Sequence, residues 1–123
     1  MADHDLVGNY DWVKGGSMEK YSQELSLRAD GTASYKESGE TSSEAWTRYG
    51  SGKWSVKEGG TVWVVCDSLK KETKMKKKPI PNIPGFEDEV KVDYNITVDI
   101  PADKLRTAPA SGPNAPKNRW RRL

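Results

Sequence analysis

The sequence predicts an all-β fold, an antiparallel meander of six to eight strands curled into a small barrel. Three observations carry that prediction. Residues 89–100 alternate apolar Val90, Val92, Tyr94, Ile96, Val98 and Ile100 with polar Glu89, Lys91, Asp93, Asn95, Thr97 and Asp99, the period of two of a half-buried strand. Two glycine turns, Asp30-Gly31 and Glu58-Gly59-Gly60, each stand between extended runs, as hairpins require. Apart from a short turn near Ser17 to Gln23, no segment keeps apolar residues three and four apart long enough for a helix.

Leu6, Tyr10 and Trp12 sit at even spacing before Gly15-Gly16, which predicts a first strand over about 6–14. Leu25 and Leu27 lead into Asp30-Gly31, and Thr32 to Tyr35 resume extended character, so residues 22–38 form a hairpin. The runs Gly52 to Val56 and Thr61 to Cys66 make a second one. Residues 45–48 and 69–77 add further strands, and Pro101, which lacks an N–H, ends the last. Curling such a meander into a barrel hides its edges.

Two segments differ in character. Lys78-Pro79-Ile80-Pro81-Asn82-Ile83-Pro84 reads as a stiff extended loop, and its spacing also fits polyproline ligands. From residue 106 the chain turns to Ala, Pro, Ser, Gly and Asn and then to Arg119-Trp120-Arg121-Arg122, too little apolar surface to order itself. The expected organisation is one β-barrel domain over residues 1–105 and a disordered basic tail over 106–123. Charge is segregated in the same way: residues 101–123 carry net +5, which leaves the first 100 residues at −3 of the total +2.

The N-terminus has no basic region followed by an apolar stretch, and no apolar run approaches the roughly 20 residues that span a bilayer. Cys66 is the single cysteine, set in the apolar run Val62 to Cys66. Together these features suggest a cytoplasmic monomer without membrane insertion.

Gly8-Asn9-Tyr10, Leu25-Ser26-Leu27-Arg28-Ala29-Asp30-Gly31-Thr32, Gly52-Lys53-Trp54-Ser55-Val56 and Thr61-Val62-Trp63-Val64 together resemble lipocalin-like domains over residues 6–67. The resemblance implies an antiparallel barrel that holds a small apolar molecule.

His4 is the only histidine, so neither a histidine-based triad nor a multi-histidine metal site can be assembled, and no phosphate-binding glycine loop is present. Glu89, Asp93 and Asp99 fall on the polar face of one strand and read as solvated surface. No cofactor, metal or catalytic role is expected. The inward aromatic set Tyr10, Trp12, Tyr35, Trp54 and Tyr94 is the expected ligand lining, and the same rings would fill a packed barrel. The leading reading is therefore a non-enzymatic, lipid-binding type of barrel. The alternative is an interaction module that engages nucleic acid or an acidic protein through Lys74, Lys76, Lys77 and Lys78 with Arg119, Trp120, Arg121 and Arg122, cations for phosphates and an indole for stacking.

Overall fold

The computed structural model describes residues 4–15, 20–75, 89–112 and 114–123. Seven antiparallel strands, β1 (Gly8–Val13), β2 (Lys20–Leu27), β3 (Thr32–Glu40), β4 (Glu44–Lys57), β5 (Thr61–Met75), β6 (Glu89–Pro101) and β7 (Trp120–Arg122), form one sheet in the order β6-β5-β4-β3-β2-β1-β7. A single 3-10 turn, His4–Leu6, precedes β1, and one five-residue helix, α1 (Ala102–Arg106), follows β6. No described helix is long and apolar enough to cross a membrane.

The hairpins form where the turn residues place them. Asp30 Oδ1 accepts hydrogen bonds from the backbone N–H of Thr32 at 2.9 Å and from its hydroxyl at 2.7 Å, while Gly31 takes φ +87° at no steric cost. Those bonds to Thr32 also hold the Asp30 carboxyl below its usual range. Gly59 and Gly60, both at positive φ, turn β4 into β5. The strands expected at 45–48 and 69–77 are not separate elements: the first lies inside β4, and the described part of the second extends β5 to Met75. Lys20 to Gln23, part of the expected helical turn, is strand, whereas Ser17 and the proline-rich loop lie outside the described residues.

One face of the sheet wraps around the core. Tyr10, Leu25, Leu27, Ala33, Tyr35, Val62, Val64, Cys66, Leu69 and Ile100 are buried there, joined by Leu6 of the 3-10 turn and by Ala102 and Leu105 of α1. Each fully buried Leu or Val adds about 1.5–3 kcal/mol, so the apolar alternation holds the sheet in this curvature. Cys66, expected as a small buried thiol, is fully enclosed, and burial raises its pKa.

Three expectations are corrected. The sheet is not a closed barrel: β6 and β7 are its two edges and do not pair. β7 is only three residues long, and α1 instead bridges the gap, packing against the 3-10 turn, β6 and β7.

The second correction concerns β6, whose alternation does not keep to one face. Ile96, Val98 and Ile100 stand opposite Cys66, Val64 and Val62 on the core side, but Asn95 adopts φ +55° and Asp93, not Tyr94, stands opposite buried Leu69. Asn tolerates this left-handed conformation better than a β-branched residue would. Beyond it Val90, Val92 and Tyr94 turn to the outer face and are 60%, 44% and 69% exposed.

Third, the expected disorder of residues 106–123 is not what the described residues of that segment show, since they are ordered against β1. Asp11↔Arg121 and Trp12↔Trp120 pair β7 with β1, and the Arg121 guanidinium meets the Asp11 carboxylate through two hydrogen bonds at 2.9 and 2.7 Å. Arg122 stacks on the Tyr10 ring, donates to the Tyr10 hydroxyl, and donates to the Asp5 carbonyl at 2.8 Å. The tail lacks a core of its own and orders on β1, an apolar and anionic surface elsewhere in the chain.

The Asp11 and Arg121 side chains are 16% and 8% exposed, so removing one partner strands the other away from water. Arg121→Ala is expected to cost about 3 kcal/mol and lower the thermal midpoint by about 10–20 °C, measured by circular dichroism. An unchanged midpoint would show that the tail does not hold the sheet.

Candidate ligand-binding site

The inner face of the sheet is covered by apolar residues at the α1 end and lined by polar and aromatic ones at the other. On β2, β3 and β4, Tyr21, Gly39 and Trp46 stand side by side in register. Gly39 is required there, because a Cβ would collide with the Trp46 indole that lies over it. The Tyr21 ring meets Trp12 edge-on at 5.8 Å between centroids and Trp46 at 6.0 Å, and Lys71 Nζ sits 5.0 Å from the centre of the Trp46 ring. These contacts fix three half-buried aromatic rings at one end of the sheet.

Behind the rings lies a polar network. The Glu37 carboxylate accepts from the Tyr21 hydroxyl at 2.6 Å and from Arg48 at 3.0 Å, with the Tyr35 hydroxyl 3.4 Å away. Tyr35 donates to Gln23 Oε1 at 2.9 Å, and Arg48 reaches Asp93 at 3.3 Å. Glu37 is 12% and Arg48 25% exposed, so the pair is strongly shielded from solvent. Burial, followed by the hydrogen bond to Glu37, raises the Tyr21 pKa; burial and the charge of Glu37 raise that of Tyr35. Both hydroxyls stay neutral donors. Among the described residues Arg48 Nε is the buried side-chain polar atom without a partner.

Two grooves open on the sheet, the first at this end and the second bordered mainly by side chains that alternate with the core residues of β2 and β3. One of about 600 Å³ is bordered by Tyr21, Trp46, Lys14, Lys20, Lys117 and Glu40, and within it Lys20 and Glu40 are 3.8 Å apart. A second, of about 850 Å³, includes Glu24, Ser26, Ser34, Lys36, Tyr49 and Lys70. Among the described residues no group of three or more His, Cys, Asp or Glu could hold a metal ion.

The structure scatters the aromatic set expected to line a pocket. Tyr10 is fully buried and donates to the Leu6 carbonyl at 2.8 Å, so it is core. Tyr35 is 6% exposed and serves the network through its hydroxyl alone. Trp54 packs against the core and donates to the Arg28 carbonyl at 2.8 Å, pinning the β2–β3 turn. Tyr94 is on the outer face. Of the five, only Trp12 stands beside the aromatic end.

The basic set also divides. Lys74 is exposed at the end of β5 and Arg119 is exposed, while Lys76, Lys77 and Lys78 lie outside the described residues. Trp120 is half-buried against the core, and Arg121 and Arg122 are engaged with Asp11, Tyr10 and Asp5, so these three are not a free polyanion surface. Tyr21, Trp46, Glu37 and Arg48 were absent from the sequence expectation. Their signal was weak but present: Tyr35 and Glu37 share one parity on β3, as do Trp46 and Arg48 on β4. No family model, no curated protein and no solved structure matches the chain.

The raised tyrosine pKa values set the alkaline limit of the fold. An unfolded tyrosine ionises near 10.0, and the folded forms of Tyr21 and Tyr35 ionise above that value. Their contribution is complete below pH 10 and is lost as pH rises beyond it. Chemical denaturation at pH 9 to 11.5 should therefore show stability falling above pH 10, with a shallower slope in Tyr21→Phe. An equal slope in wild type and variant would contradict the buried network.

Proposed function

We propose that this protein is a non-enzymatic binding protein that takes a small amphipathic molecule with an acidic group at the aromatic end of its half-open sheet. The observation that carries this reading is the groove where the half-buried rings of Tyr21 and Trp46 meet Lys14, Lys20 and Lys117, with Glu40 as the one carboxylate among the residues bordering it. An apolar or planar body has rings to pack on, and an acidic group has three ammonium groups within the same groove. The lipocalin-like resemblance supports the same class of function. Its segments form β1, the β2–β3 hairpin and the β4–β5 hairpin, one after another in the meander. The reading differs from the resemblance in where the ligand sits, because Tyr10, Leu25, Leu27 and Tyr35 fill the centre with the protein's own side chains.

Binding to nucleic acid or an acidic protein is the weaker reading, since Arg121 and Arg122 are spent on intramolecular partners.

An amide-resolved NMR titration tests the proposal, with a long-chain fatty acid in one series and a short single-stranded oligonucleotide in another. Fatty-acid shifts centred on Tyr21, Gly39, Trp46 and Lys117 are expected, and Lys20→Glu with Lys117→Glu should weaken affinity about tenfold, roughly 1.4 kcal/mol. Shifts with the oligonucleotide alone, centred on exposed lysines such as Lys74, would overturn it.

A further inference from the structure

From β6 we infer that two copies of this chain join edge to edge, β6 against β6 in antiparallel register about Val92, into one continuous sheet. Among the described residues β6 has a strand partner on one side only, β5, so a row of backbone N–H and C=O groups along its other edge is open. The α1 helix that bridges toward β7 follows Pro101, leaving Glu89 to Tyr94 at the far end of the strand from it.

Edge strands usually carry charge that repels another strand. Here the charges alternate in sign, and that makes the edge complementary to itself. In an antiparallel pairing centred on Val92, Lys91 of each copy stands opposite Asp93 of the other, twice over, and Val90 stands opposite Tyr94. Opposite charges placed directly across a strand pair attract, and aromatic with β-branched neighbours pack well, each worth a fraction of a kcal/mol to about 1. A register shifted by two residues either way would set Lys91 against Lys91 or Asp93 against Asp93, so the charges disfavour both neighbouring alignments of the same parity.

The exposed apolar side chains agree with the same partner. Asn95 stands where Val90, Val92 and Tyr94 turn onto the outer face, where they are 60%, 44% and 69% exposed, and Val90 and Tyr94 are more exposed than Tyr49, Trp63 and Val65, the other exposed large apolar residues of the described strands. Pairing two copies sets the three side chains of one against those of the other across the new strand pair, and a two-fold axis through Val92 uses the same patch on both. The contact is small, so association should be weak and strongly concentration-dependent. Asp93 also meets Arg48 at 3.3 Å, which holds the carboxylate in place on the strand.

Sedimentation velocity of the full chain from about 1 µM to about 1 mM tests this, a range suited to small interfaces. Wild type should shift from monomer to dimer. Lys91→Asp and Asp93→Lys should each remain monomeric when alone, because each sets like charges opposite one another twice. Mixed together they should form a heterodimer, in which both cross-strand pairs are again of opposite sign. Circular dichroism melts of each variant separate loss of association from loss of folding. A wild type that stays monomeric, or variants that dimerise alone as well as in the mixture, would overturn the inference.

Discussion

The grip of the last strand on the first is the interaction on which the rest depends. β7 has three residues and could not persist by backbone pairing alone, yet each of its side chains meets a specific surface: Trp120 packs toward the core, Arg121 finds Asp11, and Arg122 lies over Tyr10 and reaches Asp5. Tyr10 in turn donates to Leu6, and Arg106 of α1 pairs with the Asp5 carboxylate at 2.8 Å. One end of the sheet is thereby tied from both chain termini. Part of the charge segregation of the sequence takes its meaning from this arrangement, because Arg106 and Arg121 sit on the carboxylates of Asp5 and Asp11.

An open sheet follows from the same construction. The chain after β6 adds the helix α1 beside β6 and one short strand beside β1, which is enough to cover the core where Leu6, Ala102 and Leu105 converge but too little to join the edges. Away from that end, the wall facing inward changes from Leu and Val to Tyr21, Glu37, Trp46 and Arg48. A buried ion pair held by two tyrosine hydroxyls contributes less to stability than an apolar cluster of the same volume would. Its retention at the open end, beside half-buried aromatic rings, fits a site shaped for recognition rather than for stability.

Most of the fold was legible because hairpin turns and strand alternation are local signals. Asp30-Gly31-Thr32 and Gly59-Gly60 announce their turns through backbone requirements, and Val62, Val64 and Cys66 announce their face through a period of two. What escaped was set by non-local or single-residue events. A perfect alternation from Val90 to Ile100 gives no sign that Asn95 will reverse the face halfway. The tail has no periodicity, and its order comes from a surface more than a hundred residues earlier in the chain. The aromatic end is hard to read for a related reason: Glu37 and Arg48 are charged, and charged strand residues ordinarily face outward, which argues against the parity that brings them inward beside Tyr35.

The two ends of β6 show how one substitution-sized feature divides a strand between two uses. Had both β5 and β6 kept their alternation through this level, Tyr94, Val92 and Val90 would continue the row of Ile96, Val98 and Ile100 into the space where Asp93 now meets Arg48. The polar network would then face apolar side chains, and its ion pair would lose the second carboxylate that balances the guanidinium from the β6 side. The left-handed turn at Asn95 therefore does two things at once. It keeps the open end polar, and it delivers an apolar, charge-alternating edge to the outside. β5 reverses its buried face at the same level, from Cys66 to Leu69, beside the register shift between β4 and β5, so Asn95, a residue type that accepts positive φ at low cost, lets β6 follow its neighbour through the same reversal.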